Sequence, residues 1–140
     1  MKLKIKKLNP EAKLPEYAHY GDAGMDIFST EDLVIPAGKS KLVSTGIAME
    51  IPKGYVGFVW DKSGISTKNN VHHMAGVIDS IYRGEIKICL INLGKEDFKI
   101  EKGMKVVQMI IQEVECLKIV EKEKLKESER GEKGFGSTGI

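Results

Sequence analysis

The fold class is indicated first by the stretch Ile51-Pro52-Lys53-Gly54-Tyr55-Val56-Gly57-Phe58-Val59-Trp60. Its first four residues have the form x-Pro-x-Gly, which is typical of a turn, because proline fixes φ and glycine accepts a positive φ. The residues after the turn are mostly aromatic or β-branched and favour a strand. The stretch therefore predicts a strand that begins directly after a turn.

The same combination recurs along the chain. A second x-Pro-x-Gly turn is found at Ile35-Pro36-Ala37-Gly38, and helix is scarce, with one short candidate at residues 63–68 that has Ser63 as its cap. Further short apolar runs occupy residues 2–8, 41–51, 85–93, 105–114 and 115–120. Many short strands separated by turns predict an all-β domain, built as an antiparallel sandwich or barrel.

Length and composition narrow the function classes. The 140 residues suit one domain, and a net charge of +2 is too balanced to argue for nucleic-acid binding. No run approaches the roughly 18 apolar residues of a membrane helix, and no signal peptide is visible. We therefore expect a cytoplasmic protein with neither a nucleic-acid nor a membrane partner.

The cysteines and the paired histidines give no metal signal. Cys89 and Cys116 lack metal-ligand spacing, so we expect buried or partly buried thiols. Adjacent side chains on a strand point to opposite faces, so His72-His73 is expected to be a poor metal site with a structural or incidental role.

The C-terminal residues differ from the rest. A segment dense in Lys and Glu leads into Gly134-Phe135-Gly136-Ser137-Thr138-Gly139-Ile140, whose glycines do not hold a fixed shape cheaply. We predict a β-barrel domain over residues 1–126 and a mobile arm over residues 127–140. A disordered end without a role is the simpler alternative, but a lone Phe135 among glycines and hydroxyls argues against it.

Four segments could carry chemistry. Asp26 lies at an apolar strand start, where a turn aspartate is the simpler interpretation, and Asp61-Lys62-Ser63-Gly64 could cradle phosphate at a strand-to-helix junction. Asp79, between two strand-like runs, could be an ionised general base or a plain turn residue. Residues 130–139 combine cations and hydroxyls for phosphates with a ring that can stack on a base.

Taken together and in this order, these segments resemble the motifs of the trimeric dUTPase family. They are Ala23-Gly24-Met25-Asp26-Ile27, Lys62-Ser63-Gly64-Ile65-Ser66, Gly76-Val77-Ile78-Asp79 with Tyr82-Arg83-Gly84, Gly103-Met104-Lys105-Val106-Val107-Gln108, and Arg130 with Gly134-Phe135-Gly136-Ser137-Thr138-Gly139. The resemblance implies a jelly-roll-like distorted β-barrel, a homotrimer with sites at its interfaces, and Mg2+-dependent hydrolysis of dUTP to dUMP and diphosphate. That reaction keeps uracil out of DNA and supplies dUMP for dTMP synthesis.

The resemblance also implies roles for single residues. Asp79 would activate a water that attacks the α-phosphorus, and Tyr82 would pack under the deoxyribose and exclude a 2′-hydroxyl. The backbone of Gly76, Val77 and Ile78 would read the uracil edge. The remaining substrate-binding residues would be Lys62, Ser63, Gly64, Lys87, Gln108, Arg130, Phe135, Gly136, Ser137 and Thr138. Asp26 would touch Mg2+ through water, with the ion held mainly by the triphosphate.

The chain departs from the family pattern at three places, and two alternatives stay open. Asp61-Lys62 stands where the family usually has Pro-Arg, and lysine lacks the bidentate fork of arginine. Ile81 replaces a common aspartate, and His73 stands where some members carry an asparagine. The alternatives are a dCTP deaminase, which would need a catalytic Glu, and a non-catalytic regulatory protein on the same scaffold.

Overall fold

A computed structural model of the chain describes residues 1–134. In this range the elements follow the order β1 (Lys4–Lys7), β2 (Met25–Phe28), β3 (Leu33–Ile35), β4 (Ser40–Ser44), β5 (Ile47–Glu50), β6 (Tyr55–Asp61), α1 (Ser63–Asn69), β7 (Val71–Met74), β8 (Val77–Asp79), β9 (Lys87–Asn92), β10 (Phe98–Ile100) and β11 (Lys105–Glu113). The predicted all-β, jelly-roll-like barrel with one short helix is confirmed.

Two sheets and two ribbons enclose the core, and every strand pair is antiparallel. The larger sheet has the order β2-β11-β6-β8, the smaller sheet has the order β4-β9-β7, and the ribbons pair β1 with β5 and β3 with β10. Alternate residues of β9 point inward. The core is filled by aliphatic side chains from both sheets, among them Ile27, Val43, Ile88, Val107 and Met109.

Both predicted x-Pro-x-Gly turns connect consecutive strands. The carbonyl oxygen of Pro36 accepts from the Lys39 amide at 3.0 Å, and that of Pro52 accepts from the Tyr55 amide at 3.1 Å. Each turn ends in a glycine with positive φ, which the sequence pattern anticipated. In the part of the chain that the structure describes, no helix is long enough to span a membrane.

Four local predictions were wrong. The run 41–51 is two strands, because the chain turns at Gly46, where φ is +66°. Residues 115–120 form no strand and are exposed, since no neighbouring strand pairs with them. The N-cap of α1 is Lys62, without a side-chain cap, and not Ser63. Cys116, which follows β11, is exposed rather than buried.

Gly46 and Gly38 allow two costs of replacing a glycine, backbone strain and overpacking, to be measured separately. Both have positive φ, but only at Gly46 would a Cβ lie within 3.0 Å of other atoms, namely Asn9 Cβ, Thr30 Cγ2 and Ala12 Cβ. Gly38→Ala should lower the free energy of unfolding by about 1–2 kcal/mol through backbone strain alone. Gly46→Ala should lower it by about 1–3 kcal/mol more through overpacking. Urea unfolding of both variants measures this, and equal losses would contradict the packing account.

Candidate active site

The hairpin that begins with β8 borders an open pocket. This cavity of about 540 Å3 is lined by Val77, Ile78, Asp79, Tyr82, Glu85, Ile86 and Lys87. Because β8 is the last strand of its sheet, one of its edges pairs with β6 and the other carries no strand partner among residues 1–134. The structure thus brings Lys87 to the same surface as Asp79 and Tyr82, which the sequence placed in one motif, beside free backbone groups. We call this surface the hairpin pocket.

The turn after β8 is held by hydrogen bonds. The Tyr82 amide donates to the Asp79 carbonyl oxygen at 3.0 Å, and Arg83 Nη1 donates to the carbonyl oxygens of Ser80 and Tyr82 at 2.6 and 2.8 Å. The Tyr82 hydroxyl donates to the Glu85 carbonyl oxygen at 3.0 Å. A side chain at Gly84 would place its Cβ 2.4 Å from that hydroxyl, so only glycine lets the Tyr82 ring lie where it does.

A second group of predicted residues gathers at the end of β6. Gln108 of β11 lies opposite Asp26 of β2 on one side and Trp60 of β6 on the other. Gln108 Nε2 donates to the Asp61 carbonyl oxygen at 2.9 Å. Lys62 follows directly, and its Nζ contacts Asp26. We call the five residues of this group the β6-end cluster: Asp26, Lys62, Ser63, Gly64 and Gln108.

Asp26 is the buried charge of this cluster. It lies within β2 at 3% exposure, so its interpretation as a turn aspartate was wrong. Lys62 contacts Oδ1, and Lys105 Nζ lies 2.8 Å from Oδ2, although Oδ2 has no aligned hydrogen bond. Burial acts to raise the pKa of Asp26, but the ammonium groups of Lys105 and Lys62 outweigh it and hold the pKa below its ordinary value.

Asp61 binds both neighbouring histidines. Nδ1 of His72 lies 2.7 Å from Asp61 Oδ2, and Nδ1 of His73 lies 2.7 Å from Oδ1. The prediction that the two rings point apart was wrong, because β7 is an edge strand and both rings reach round its free edge. Burial acts to raise the pKa of Asp61, but its hydrogen bonds with His72 and His73 outweigh burial and lower it.

Asp79 of the hairpin pocket and Lys62 of the β6-end cluster lie far apart within one chain. Asp79 pairs with Val56, and Lys62 follows six residues further along the same strand direction. At a rise of about 3.3 Å per residue, this spacing corresponds to roughly 20 Å. Asp79 and Lys62 therefore do not meet in a single subunit.

The C-terminal predictions are only partly within the described structure. Arg130 is exposed, and its Nε donates to the Lys133 carbonyl oxygen at 2.9 Å. Every residue from 115 to 134 is exposed, so this segment does not pack on its own barrel. The predicted binding residues Phe135, Gly136, Ser137 and Thr138 lie outside the described residues.

Sequence reasoning gave no role to three residues that the structure places in the site. Lys105 pairs with Asp26, Glu85 lines the hairpin pocket, and Asp61 organises the two histidines. Lys105 and Glu85 lay inside or beside quoted motifs, but their partners are distant in sequence. The position of Asp61 could have indicated a functional residue, since it is an acidic residue directly before the candidate phosphate-binding segment.

A family model described as dUTPase matches residues 10–139. The chain belongs to the dUTPase family. The deoxyuridine 5'-triphosphate nucleotidohydrolase of Clostridioides difficile is 51% identical, over 99% of this chain and 98% of that protein. The Staphylococcus bacteriophage 80alpha dUTPase, solved with dUPNHPP, is 32% identical, with a TM-score of 0.93 and 99% of both chains covered. A mutant dUTPase from S. aureus phage phi11, solved with a structural Mg(II) ion, is 27% identical, with a TM-score of 0.83 over 89% of this chain and 98% of that one.

Family membership decides the activity. Like its dUTPase relatives, this chain hydrolyses dUTP to dUMP and diphosphate, as the sequence predicted. The deaminase and the non-catalytic scaffold are therefore set aside. Enzymes of this family generally use Mg2+. Which residues of this chain bind and cleave the nucleotide is a separate question, and the arrangement described above bears on it.

The lowered pKa of Asp26 predicts how stability depends on pH. A carboxyl group whose pKa is lower in the folded than in the unfolded state stabilises the fold above the unfolded value, and the gain is lost as pH falls through the folded value. The free energy of unfolding should therefore fall as pH drops below about 3.8, the ordinary aspartate value. Asp26→Asn should be about 1–3 kcal/mol less stable at pH 7 and lose less on acidification. Urea unfolding from pH 7 to pH 3 measures both effects.

Glu121→Gln is the matched control for this series, because it also removes one carboxylate but at an exposed position. It should keep the wild-type acid profile. An Asp26→Asn profile that runs parallel to that of Glu121→Gln would mean that the buried ion pair does not set the acid sensitivity.

Proposed function

We propose that each active site is completed between subunits of a homotrimer, with the hairpin pocket from one chain and the β6-end cluster from the next. The observation that carries this proposal is the separation of roughly 20 Å along β6 between Asp79 and Lys62. A cyclic assembly with heterologous contacts brings opposite faces of identical chains together, and so allows three equivalent shared sites.

The exposed apolar side chains of the C-terminal segment support an assembly. Leu117, Ile119 and Leu125 are 81%, 96% and 87% exposed in the single chain. Several large apolar side chains exposed in one short segment are candidates for an interface with another protein surface. The segment leaves the barrel after Glu113, and a neighbouring subunit is the surface that it would cover. The homotrimer gives these side chains a partner.

The free edge of β8 suits recognition of uracil. An unpaired strand edge presents alternating N–H donors and C=O acceptors, and uracil offers an N3–H donor between two carbonyl acceptors. The backbone of Val77, Ile78 and Asp79 would supply the matching donors and acceptor. Cytosine reverses the pattern at N3 and C4, so it would leave buried polar groups unpaired. This is the basis that we propose for discrimination between the two bases.

Asp79 is the residue that we assign to proton transfer. It is exposed at the end of β8, beside the pocket, where a water molecule can reach its carboxylate. The carboxylate would take a proton from that water as the water oxygen attacks the α-phosphorus and diphosphate leaves. Tyr82 would pack under the deoxyribose, at a position that its hydroxyl bond to Glu85 fixes.

The β6-end cluster would bind the phosphates. Ser63 and Gly64 are exposed at the start of α1, and Lys62 and Lys105 supply positive charge that Asp26 positions. Phosphates would compete with Asp26 for these lysines. Lys62 offers a point charge, whereas arginine would offer a bidentate pair of donors. The direction of its contact with a phosphate would therefore depend on the buried carboxylate of Asp26.

The donor set fits Mg2+ at this end of the site. Mg2+ keeps several waters and is bound through one or two carboxylates together with substrate phosphates. Lys105 Nζ lies 2.8 Å from the buried Oδ2 of Asp26, so this oxygen would accept from a metal-bound water once the phosphates draw Lys105 away. Bound there, the ion would offset charge on the triphosphate and on the leaving diphosphate.

The cytoplasmic location of the protein stays a prediction.

The residues beyond Lys126 are proposed to form an arm that covers the site. Arg130 would act at the γ-phosphate end together with Ser137, Thr138 and the backbone of Gly136, and Phe135 would stack on uracil. Closure of such a segment excludes water from the phosphates and completes the set of contacts. The exposure of residues 115–134 on their own barrel supports an arm that reaches another subunit.

Mixed trimers test the shared site. Asp79→Asn removes the base, and Ser63→Glu places a negative charge at the exposed phosphate loop, so each variant alone should lose about 100-fold or more in kcat/KM. In a trimer that contains both variants, one of the three interfaces joins an intact hairpin pocket to an intact loop, so about one third of the wild-type rate should return. Co-expression with two tags, followed by purification on both, isolates these trimers for assays of diphosphate release.

The control is a mixed trimer in which both tagged chains carry Asp79→Asn, because it contains no intact hairpin pocket. It should stay inactive. If the Asp79→Asn and Ser63→Glu mixture is as inactive as its parents, both groups act within one chain and the proposal is wrong.

Truncation after Lys126 tests the arm. The shortened chain should keep its assembly and its barrel, but kcat/KM should fall by about 100-fold because the phosphates and the base lose ordered contacts. Phe135→Ala should account for about 1–3 kcal/mol of that loss, the usual worth of base stacking, and Phe135→Trp should restore most of it. A truncated chain that turns over dUTP at the full rate would remove the arm from the mechanism.

A further inference from the structure

The Asp61 carboxylate brings two imidazole nitrogens together away from the hairpin pocket. Among residues 1–134, Asp61, His72 and His73 are the one group of three histidine, cysteine or carboxylate side chains whose donor atoms lie within 4.8 Å of one another. Each Nδ1 lies 2.7 Å from a different oxygen of the carboxylate. The three donors therefore converge on one small volume.

The fold places these donors on two different sheets. Asp61 ends β6 in the larger sheet, and the histidines lie in β7, an edge strand of the smaller sheet. The free edge of β7 faces Asp61, since the His73 amide also donates to Asp61 Oδ1 at 2.8 Å. The side chains of His73 and Asp61 are 14% and 22% exposed, and that of His72 is 52% exposed. The cluster is thus fixed on one side and open to solvent on the other.

The donor types select a class of metal ion. Imidazole nitrogen suits Zn2+ and similar transition metals, whereas Mg2+ prefers oxygen donors alone. Zinc binds nitrogen and carboxylate oxygen at about 2.0–2.2 Å, so tetrahedral coordination needs ligand atoms roughly 3.3 Å apart. The present N–O separations of 2.7 Å need only a modest opening, and the exposed His72 side chain is free to provide it.

We propose that Asp61, His72 and His73 bind one divalent ion of the zinc class, with the two Nδ1 atoms and the carboxylate as ligands and solvent in the remaining position. The ion joins β6 to β7, and thereby the larger sheet to the smaller one. Its carboxylate ligand, Asp61, directly precedes Lys62 in the chain. It is separate from the Mg2+ that accompanies the nucleotide, and it does not depend on the proposed function.

Zinc titration of the full-length protein tests the site. The parent for the series is Cys116→Ser, because the exposed thiol is itself a zinc ligand. His72→Gln removes a half-exposed ligand without opening the core, and His19→Gln is the matched control, since His19 is the chain's third histidine and is exposed. Calorimetry with zinc chloride should give one ion per chain in the parent and in His19→Gln. His72→Gln should bind at least about tenfold more weakly.

Thermal unfolding gives a second measurement, because an ion that binds only the folded state raises Tm. Zinc should raise the Tm of the parent and of His19→Gln but not that of His72→Gln, and magnesium chloride at the same concentration should not reproduce the shift. Absence of zinc binding, equal zinc affinity of His72→Gln and His19→Gln, or an equal Tm shift with magnesium would overturn the proposal.

Histidine ring NMR of the Cys116→Ser parent serves if His72→Gln does not fold. Zinc should shift the Nδ1 resonances of His72 and His73 and leave His19 unchanged. A shift confined to His19 would overturn the site. No nucleotide is present in these experiments, so their outcome is independent of whether the shared active site is correct.

Discussion

The antiparallel pairing of β6 with β8 on one side and β11 on the other fixes where both halves of the candidate site lie. Pairing with β8 places Asp79 opposite Val56, near the start of β6, and pairing with β11 places Gln108 opposite Trp60, near its end. A strand rises by about 3.3 Å per residue, so Asp79 and Lys62, which are six residues apart along the direction of β6, are held roughly 20 Å apart in each chain. An assembly of several chains is the simplest way to bring an intact hairpin pocket to an intact phosphate loop.

Several charged side chains lie close together at the end of β6, and the sequence pattern of one strand does not reveal this. Asp26 is buried between two lysines, Asp61 contacts two histidines, and Gln108 donates a hydrogen bond to the Asp61 carbonyl oxygen. Buried charges persist when they are paired, so these contacts orient the cations that a triphosphate would meet. The same end of the strand therefore combines a candidate phosphate site with a candidate zinc site.

Much of the fold followed from local chemistry. The turns at Pro36 and Pro52 were predicted because a short run of residues specifies a turn, and Asp79 and Tyr82 were placed together because they lie on one hairpin. The break at Gly46 was missed because the apolar run continues on both sides of it, and its close packing against Asn9 involves a residue distant in sequence. Long-range contacts of this kind leave no periodic signal in the sequence.

The site shows the same division between local and distant determinants. The partners of Asp26 are 36 residues away in the case of Lys62 and farther in the case of Lys105, so no motif spacing announces the ion pairs. The two histidines were judged by the alternation of an isolated strand, but β7 is an edge strand that faces the end of another sheet. Position in the sheet, rather than strand periodicity, decided where the rings lie.

The central claim is that a single chain cannot hydrolyse dUTP by itself. Analytical ultracentrifugation with diphosphate release assayed on the separated species tests it most directly. The account predicts that all activity sediments with a species of three times the 15.5 kDa chain mass and disappears when that species dissociates. Turnover of dUTP by the 15.5 kDa monomer would contradict it.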